Sequence, residues 1–122
     1  MIKTGWERFW NEPQKYRNKH IFPSVSADAA NLLLQRGVAA LSIDTLSPDS
    51  PEDGFNVHRI FLGNNKLLIE NAANLDKMPS TGSYVMICPI KIKDGTEAST
   101  RVVGNNKFAY FYTNHLGRKG IE

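Results

Sequence analysis

The chain contains a single cysteine, Cys88, so no disulfide can form within it, which is the usage expected of a reducing, cytoplasmic compartment. No apolar run approaches the ~20 residues that cross a bilayer. The opening, Met1-Ile2-Lys3-Thr4-Gly5-Trp6, has no apolar stretch after its lysine and so does not read as a secretory signal. A Gly-rich phosphate loop, paired cysteines and a Gly-x-Ser-x-Gly elbow are all missing, which sets aside three common nucleotide, zinc and serine-hydrolase signatures. No internal repeat of about 20–50 residues recurs, which excludes solenoids and propellers. A strong charge of one sign is lacking too: fifteen Lys and Arg stand against twelve Asp and Glu, for a net charge of +3. The basic excess sits at the ends, at Lys15, Arg17, Lys19, Arg118 and Lys119, with an acidic, Pro-containing stretch at residues 44–53 between them. Nucleic-acid binding calls for a continuous basic stripe interleaved with exposed aromatics. Phe108, Tyr110 and Phe111 beside Lys107 imitate that only weakly, so no nucleic-acid partner and no membrane are expected.

What the sequence does have is the composition of one packed domain: 122 residues, 41% apolar and 22% charged, within the ordinary globular range. Residues 7–17 hold Phe9, Trp10 and Tyr16 and read as a short helix interrupted near Pro13, because proline lacks a donor and clashes with the preceding turn. The clearest helix covers residues 27–36. Ser26 is placed to cap it and Asp28 suits the positive end of its dipole. Ala30, Leu33 and Leu34 form its apolar face, and Gly37 supplies a left-handed stop. Residues 38–43 are almost wholly apolar, the pattern of a strand buried on both faces. A loop with Pro48 and Pro51 follows, then a helix over 55–62 stopped by Gly63, and a second buried run at 67–69 ending in Glu70. Strands are expected at 84–92, with Pro89 marking an edge or bulge, and at 101–103 and 108–112. The fold class is α/β with a mixed sheet. Residues 1–4 read as the last half of a strand, either entering from a larger unit or simply fraying.

Two polar residues stand against apolar elements. His58 lies between Val57 and Ile60, and Glu70 terminates a buried run, where α/β proteins tend to place their sites. Imidazole and carboxylate together suit a borderline metal such as zinc, although a lone histidine beside apolar residues is more often a satisfied core group. His20 and His115 lie in polar stretches and read as solvated. Asp44, Ser47 and Asp49 occupy the loop after the first buried strand, where Asp and Ser commonly bond neighbouring backbone. Arg101 is placed to pair a carboxylate of the fold or of a substrate. Cys88, with Ile87 and Pro89 as neighbours, reads as a small buried hydrophobe and not a nucleophile.

Taken in order, these marks resemble the cyclase family of metal-dependent hydrolases, which includes bacterial kynurenine formamidase and isatin hydrolase. The resemblance is carried by Thr4-Gly5-Trp6, Phe22-Pro23, Arg36-Gly37-Val38, Ser42-Ile43-Asp44-Thr45-Leu46-Ser47 and His58-Arg59-Ile60-Phe61-Leu62. It continues through Ile69-Glu70-Asn71, Asn74-Leu75, Cys88-Pro89-Ile90 and Arg101-Val102-Val103. It covers residues 2–103 and leaves 104–122 as a divergent tail, with Glu97-Ala98-Ser99-Thr100 departing from a stretch that often carries glycine and proline.

The resemblance implies the mixed-sheet β/β/α swivelling-type fold, of which this chain would be the C-terminal portion. It implies a zinc or manganese site with His58 and Glu70 as ligands, and Asp44, Ser47 and Arg101 as substrate-binding residues. The implied activity is hydrolysis of a C–N bond in a linear or cyclic amide. The family adds a His-x-x-x-His-x-Asp cluster and a catalytic histidine from an N-terminal half, and this sequence contains no such cluster, so no catalytic residue is assigned. With two ligands and no evident general base the chain alone is expected to be inactive. It would serve in a homo-oligomer or with a complementing N-terminal half, acting on a small amide. The alternatives are a non-catalytic remnant that acts as an oligomerisation or binding module and, more weakly, an RNA-binding domain.

Overall fold

The computed structural model describes residues 1–105; the expected strand at 108–112 and His115 lie outside the described residues. The chain divides into two compact units, Met1–Leu75 and one that begins at Asp76. The first holds the helices and a small parallel sheet, and the second, among its described residues, holds an antiparallel ribbon; together they keep to the expected α/β class.

In the first unit, Ala40–Ser42 (β1) pairs in parallel with Leu67–Ile69 (β2), in the register Ala40 to Leu67 and Ser42 to Ile69. The connection between them contains helix Asn56–Gly63 (α3, after α1 and α2 below). On the other edge of the same run, Ile2 forms a parallel bridge to Ile43 and donates its N–H to the Ser42 carbonyl at 2.7 Å. The run after Gly37 is therefore flanked on both edges, and Leu41, Ser42 and Ile43 are all buried. Successive residues point to opposite faces, so their common burial means that both faces are covered, which is why the sequence there is apolar and does not alternate.

Helix Ala27–Gln35 (α2) begins as its sequence indicates, with the Ser26 hydroxyl accepting from the Ala29 N–H at 3.2 Å. Its Ala30 is buried with Leu41, Val57 and Phe61, and Ile2, Val25, Leu33, Val38, Ile60 and Leu68 pack around this cluster. The core thus joins α2, α3 and both strands. Several boundaries differ from the expectation, among them β1, which covers Ala40–Ser42 within the expected 38–43. Pro13 starts helix Pro13–Arg17 (α1) and does not interrupt one, because a missing N–H costs nothing at the first helical position. Trp6–Phe9 is a separate 3-10 turn. Gly63 belongs to α3, whose cap is Asn64.

The second unit holds an antiparallel ribbon of Tyr84–Pro89 (β3) and Thr100–Asn105 (β4), in a register that places Met86 opposite Val103 and Cys88 opposite Arg101. Among the described residues this sheet has two strands, so Pro89 is indeed at an edge, and β3 ends there, short of the expected residue 92. Cys88 is exposed, which corrects the expectation of a buried thiol: a two-stranded ribbon leaves both of its faces open. No helix among the described residues is long and apolar enough to cross a membrane.

Candidate functional site

Both parallel strands of the first unit end in an acid: β1 runs through Ile43 into Asp44, and β2 runs into Glu70. The two carboxylates do different work. Asp44 is wholly buried. Its Oδ1 accepts from the Thr4 N–H at 2.9 Å and the Thr4 hydroxyl at 2.7 Å. Its Oδ2 accepts from the N–H groups of Gly5 at 2.8 Å and Trp6 at 3.1 Å. Three successive backbone N–H groups converge on one carboxylate because Gly5 turns the chain with φ of +79°, a conformation glycine adopts without a Cβ penalty. Burial works to raise the Asp44 carboxyl, and the Thr4 and Gly5 donors outweigh it, so it lies below the usual carboxylate range.

Tyr16 ties the same corner together. Its hydroxyl faces the Asp44 carbonyl at 3.1 Å and Asn71 Oδ1 at 3.0 Å, while Trp6 Nε1 donates to the Tyr16 carbonyl at 2.9 Å. Burial, then the negative charges of Asp44, Glu70 and Glu7, push the phenol up to about 12. The Thr4-Gly5-Trp6 segment and the aromatic stretch after it are thereby fastened over the carboxyl ends of the strands.

Glu70 meets His58. Helix α3 and β2 bring these residues together although twelve positions separate them: His58 Nε2 lies 3.4 Å from Glu70 Oε1. Both side chains are partly exposed. On the opposite side of the ring, His58 Nδ1 lies 2.6 Å from Asp49 Oδ2. Asp49 is buried, and its carboxylate also accepts from the N–H groups of Val57 at 2.7 Å and His58 at 2.9 Å. Phe55, at the head of α3 with φ of 59°, sets its ring edge-on to the imidazole with centroids 5.8 Å apart.

This donor pair suits a divalent ion. Two donors each about 2.0–2.2 Å from a tetrahedral ion stand about 3.3–3.6 Å apart, and the His58–Glu70 separation falls in that window. Among the described residues no group of three His, Cys, Asp or Glu side chains is placed to hold a metal, whereas a catalytic zinc takes about three protein ligands.

The other residues expected at a site are distributed differently. Ser47 is half-buried, its Oγ accepting from the Asp49 N–H at 3.2 Å and its carbonyl from the Thr45 hydroxyl at 2.8 Å, which is the turn chemistry of such loops. Arg101 is exposed on β4, in the second unit. Two contributors were not singled out from the sequence. Tyr16 was hidden among other aromatics, and Asp49 was weighed only as a turn former.

Comparison with known proteins agrees with this architecture. Residues 1–50 match the family model described as "Putative cyclase". The chain is similar to the cyclase family. Isatin hydrolase of Roseibium aggregatum is 23% identical over 112 residues, which cover 84% of this chain and 43% of that protein. The crystal structure of an isatin hydrolase bound to the product analogue thioisatinate superposes with a TM-score of 0.76 at 23% identity, over 83% of this chain and 42% of that one. The chain thus has the fold of part of an isatin hydrolase and spans less than half the length of the cyclase relative it matches.

Proposed function

We propose that this chain contributes His58 and Glu70 to a divalent metal site, zinc or manganese, in a hydrolase that cleaves the C–N bond of a linear or cyclic amide. The observation that carries the reading is the 3.4 Å apposition of His58 Nε2 and Glu70 Oε1 at the carboxyl end of a parallel strand, in a fold shared with an isatin hydrolase. When bound, a divalent ion supplies Lewis acidity and makes water more acidic. Hydrolysis adds water across the amide, giving a carboxylate and an amine. Within this chain, His58 and Glu70 hold the ion from one side. Asp44, with its oxygens committed to Thr4, Gly5 and Trp6, serves substrate by fixing the segment that borders the site. Ser47 is the side chain of the first unit proposed to meet substrate. The remaining ligands come from outside residues 1–105, from a complementing N-terminal half or another copy, so the chain alone is not expected to turn over. Replacing His58 or Glu70 with Ala abolishes metal uptake in the complete assembly on this reading, and unchanged uptake contradicts it.

A second reading is favoured by the β3–β4 ribbon: a non-catalytic oligomerisation or binding module. Met86 and Val103 lie opposite each other on one face, with Val85 and Val102 on the other, and all four are exposed. An isolated two-stranded ribbon is marginal in water, so association would stabilise it. A chain that assembles but takes up no metal supports this reading over the first.

A further inference from the structure

The Asp49 carboxylate faces three nitrogens at once. Two are the N–H groups of Val57 and His58, in the first turn of α3, which lack partners within any helix. Phe55 occupies the cap position and offers no side-chain acceptor, so Asp49 caps α3 from across the loop. The third position is His58 Nδ1, which meets the same Oδ2 that caps the His58 N–H. The ring and the backbone of one residue are thus held by one oxygen. Asp49 is only 2% exposed, and a buried carboxylate in this arrangement is an acceptor with nothing to donate.

We propose that Asp49 is a positioning residue that holds a proton on His58 Nδ1 and so leaves Nε2, the nitrogen on the side of Glu70, as the one available to a metal ion. An ionised carboxylate can only accept, so the shared proton belongs on Nδ1. A neutral imidazole protonated at Nδ1 has its lone pair on Nε2, the atom 3.4 Å from Glu70 Oε1. A second carboxylate that orients a ligating histidine typically strengthens metal binding about 10–100-fold. The value of this arrangement to a metal rests on the reading above, whereas the tautomer is a property of the chain without metal.

Asn at position 49 keeps one acceptor oxygen and sets an amide donor beside it. Because Oδ2 serves both the His58 N–H and Nδ1, the amide meets a backbone donor of the first turn of α3 in either orientation, so the variant loses part of the cap together with the carboxylate that holds the proton on Nδ1. The experiment is nitrogen-15 NMR of the metal-free chain with labelled histidine at mildly alkaline pH. The His58 signals are assigned by their loss in His58→Gln. The expected result is a pyridine-type Nε2 and a protonated Nδ1 in the unsubstituted chain, a preference weakened in Asp49→Asn. In the same samples, zinc is expected to shift the Nε2 signal, with at least about tenfold weaker apparent affinity in the variant. An Nε2–H tautomer or a persistent imidazolium in the unsubstituted chain overturns the proposal, and that measurement does not depend on a variant folding. The expected tautomer without any response to zinc supports the positioning role and removes the ligand reading instead.

Discussion

Glu70 Oε1 stands 3.4 Å from His58 Nε2, and neither residue alone defines a site. Helix α3 carries one and β2 delivers the other to the end of a parallel pair, so the juxtaposition belongs to the β1–α3–β2 unit. Removing either side chain leaves the apolar core of Ala30, Leu41, Val57 and Phe61 untouched. His58→Ala and Glu70→Ala are therefore expected to fold with unfolding free energies within about 1 kcal/mol of the parent, while metal uptake is lost. Circular dichroism with metal analysis of the same samples checks both statements.

Asp44 links acidity to stability. Its folded carboxyl lies below its ordinary value, so its contribution is fully present above the unfolded value of about 3.9 and is lost as pH falls through the lower folded value. Asp44→Asn replaces an acceptor oxygen with an amide facing the same donors. The expected cost is about 2–4 kcal/mol at neutral pH, together with a shallower loss of stability on acidification. Denaturant melts of both proteins from neutral pH to below about pH 4 read the two effects.

Tyr16 gives the corresponding alkaline signature. Its phenol is raised from 10.0 to about 12, so the folded chain holds the proton that the unfolded chain releases. The stabilisation is intact below pH 10 and disappears as pH rises toward 12, a change of about 2–3 kcal/mol. Tyr16→Phe should remove this alkaline step and cost about 1–2 kcal/mol at neutral pH, since the Asp44 carbonyl and Asn71 lose their hydroxyl partner. Denaturant titration at successive pH values follows both.

The ribbon predicts association. Met86→Lys with Val103→Lys places two charges opposite each other on one exposed face. If that face joins copies, the variant's mass in native buffer falls to that of a single chain, while the first unit keeps its fold. An unchanged mass would mean that assembly, if present, uses another surface.

Much of the first unit was legible in the residues. Ser26 and Gly37 bracketed α2, and the run before Asp44 announced a strand covered on both faces. Residues 67–69 were read at the length the structure gives. Periodicity failed where a single residue has two uses: Pro13 breaks a helix from within and begins one from its first position, and only the surrounding fold decides which. Cys88 was misread for a related reason. An apolar strand pattern signals burial when other strands or helices lie against it, and β3 has β4 alone among the described residues. At the site, His58 and Glu70 were visible as polar residues against apolar elements. Asp49 was not, because its role depends on a hydrogen bond across a loop that no local spacing encodes.

The central claim, that His58 and Glu70 act as a metal-binding pair, is tested most directly by titrating zinc into the labelled chain and following the His58 ring nitrogens. The account predicts a saturable response that is largest at Nε2 and is abolished by Glu70→Gln. A response absent at every zinc concentration, or one indifferent to Glu70→Gln, would contradict it.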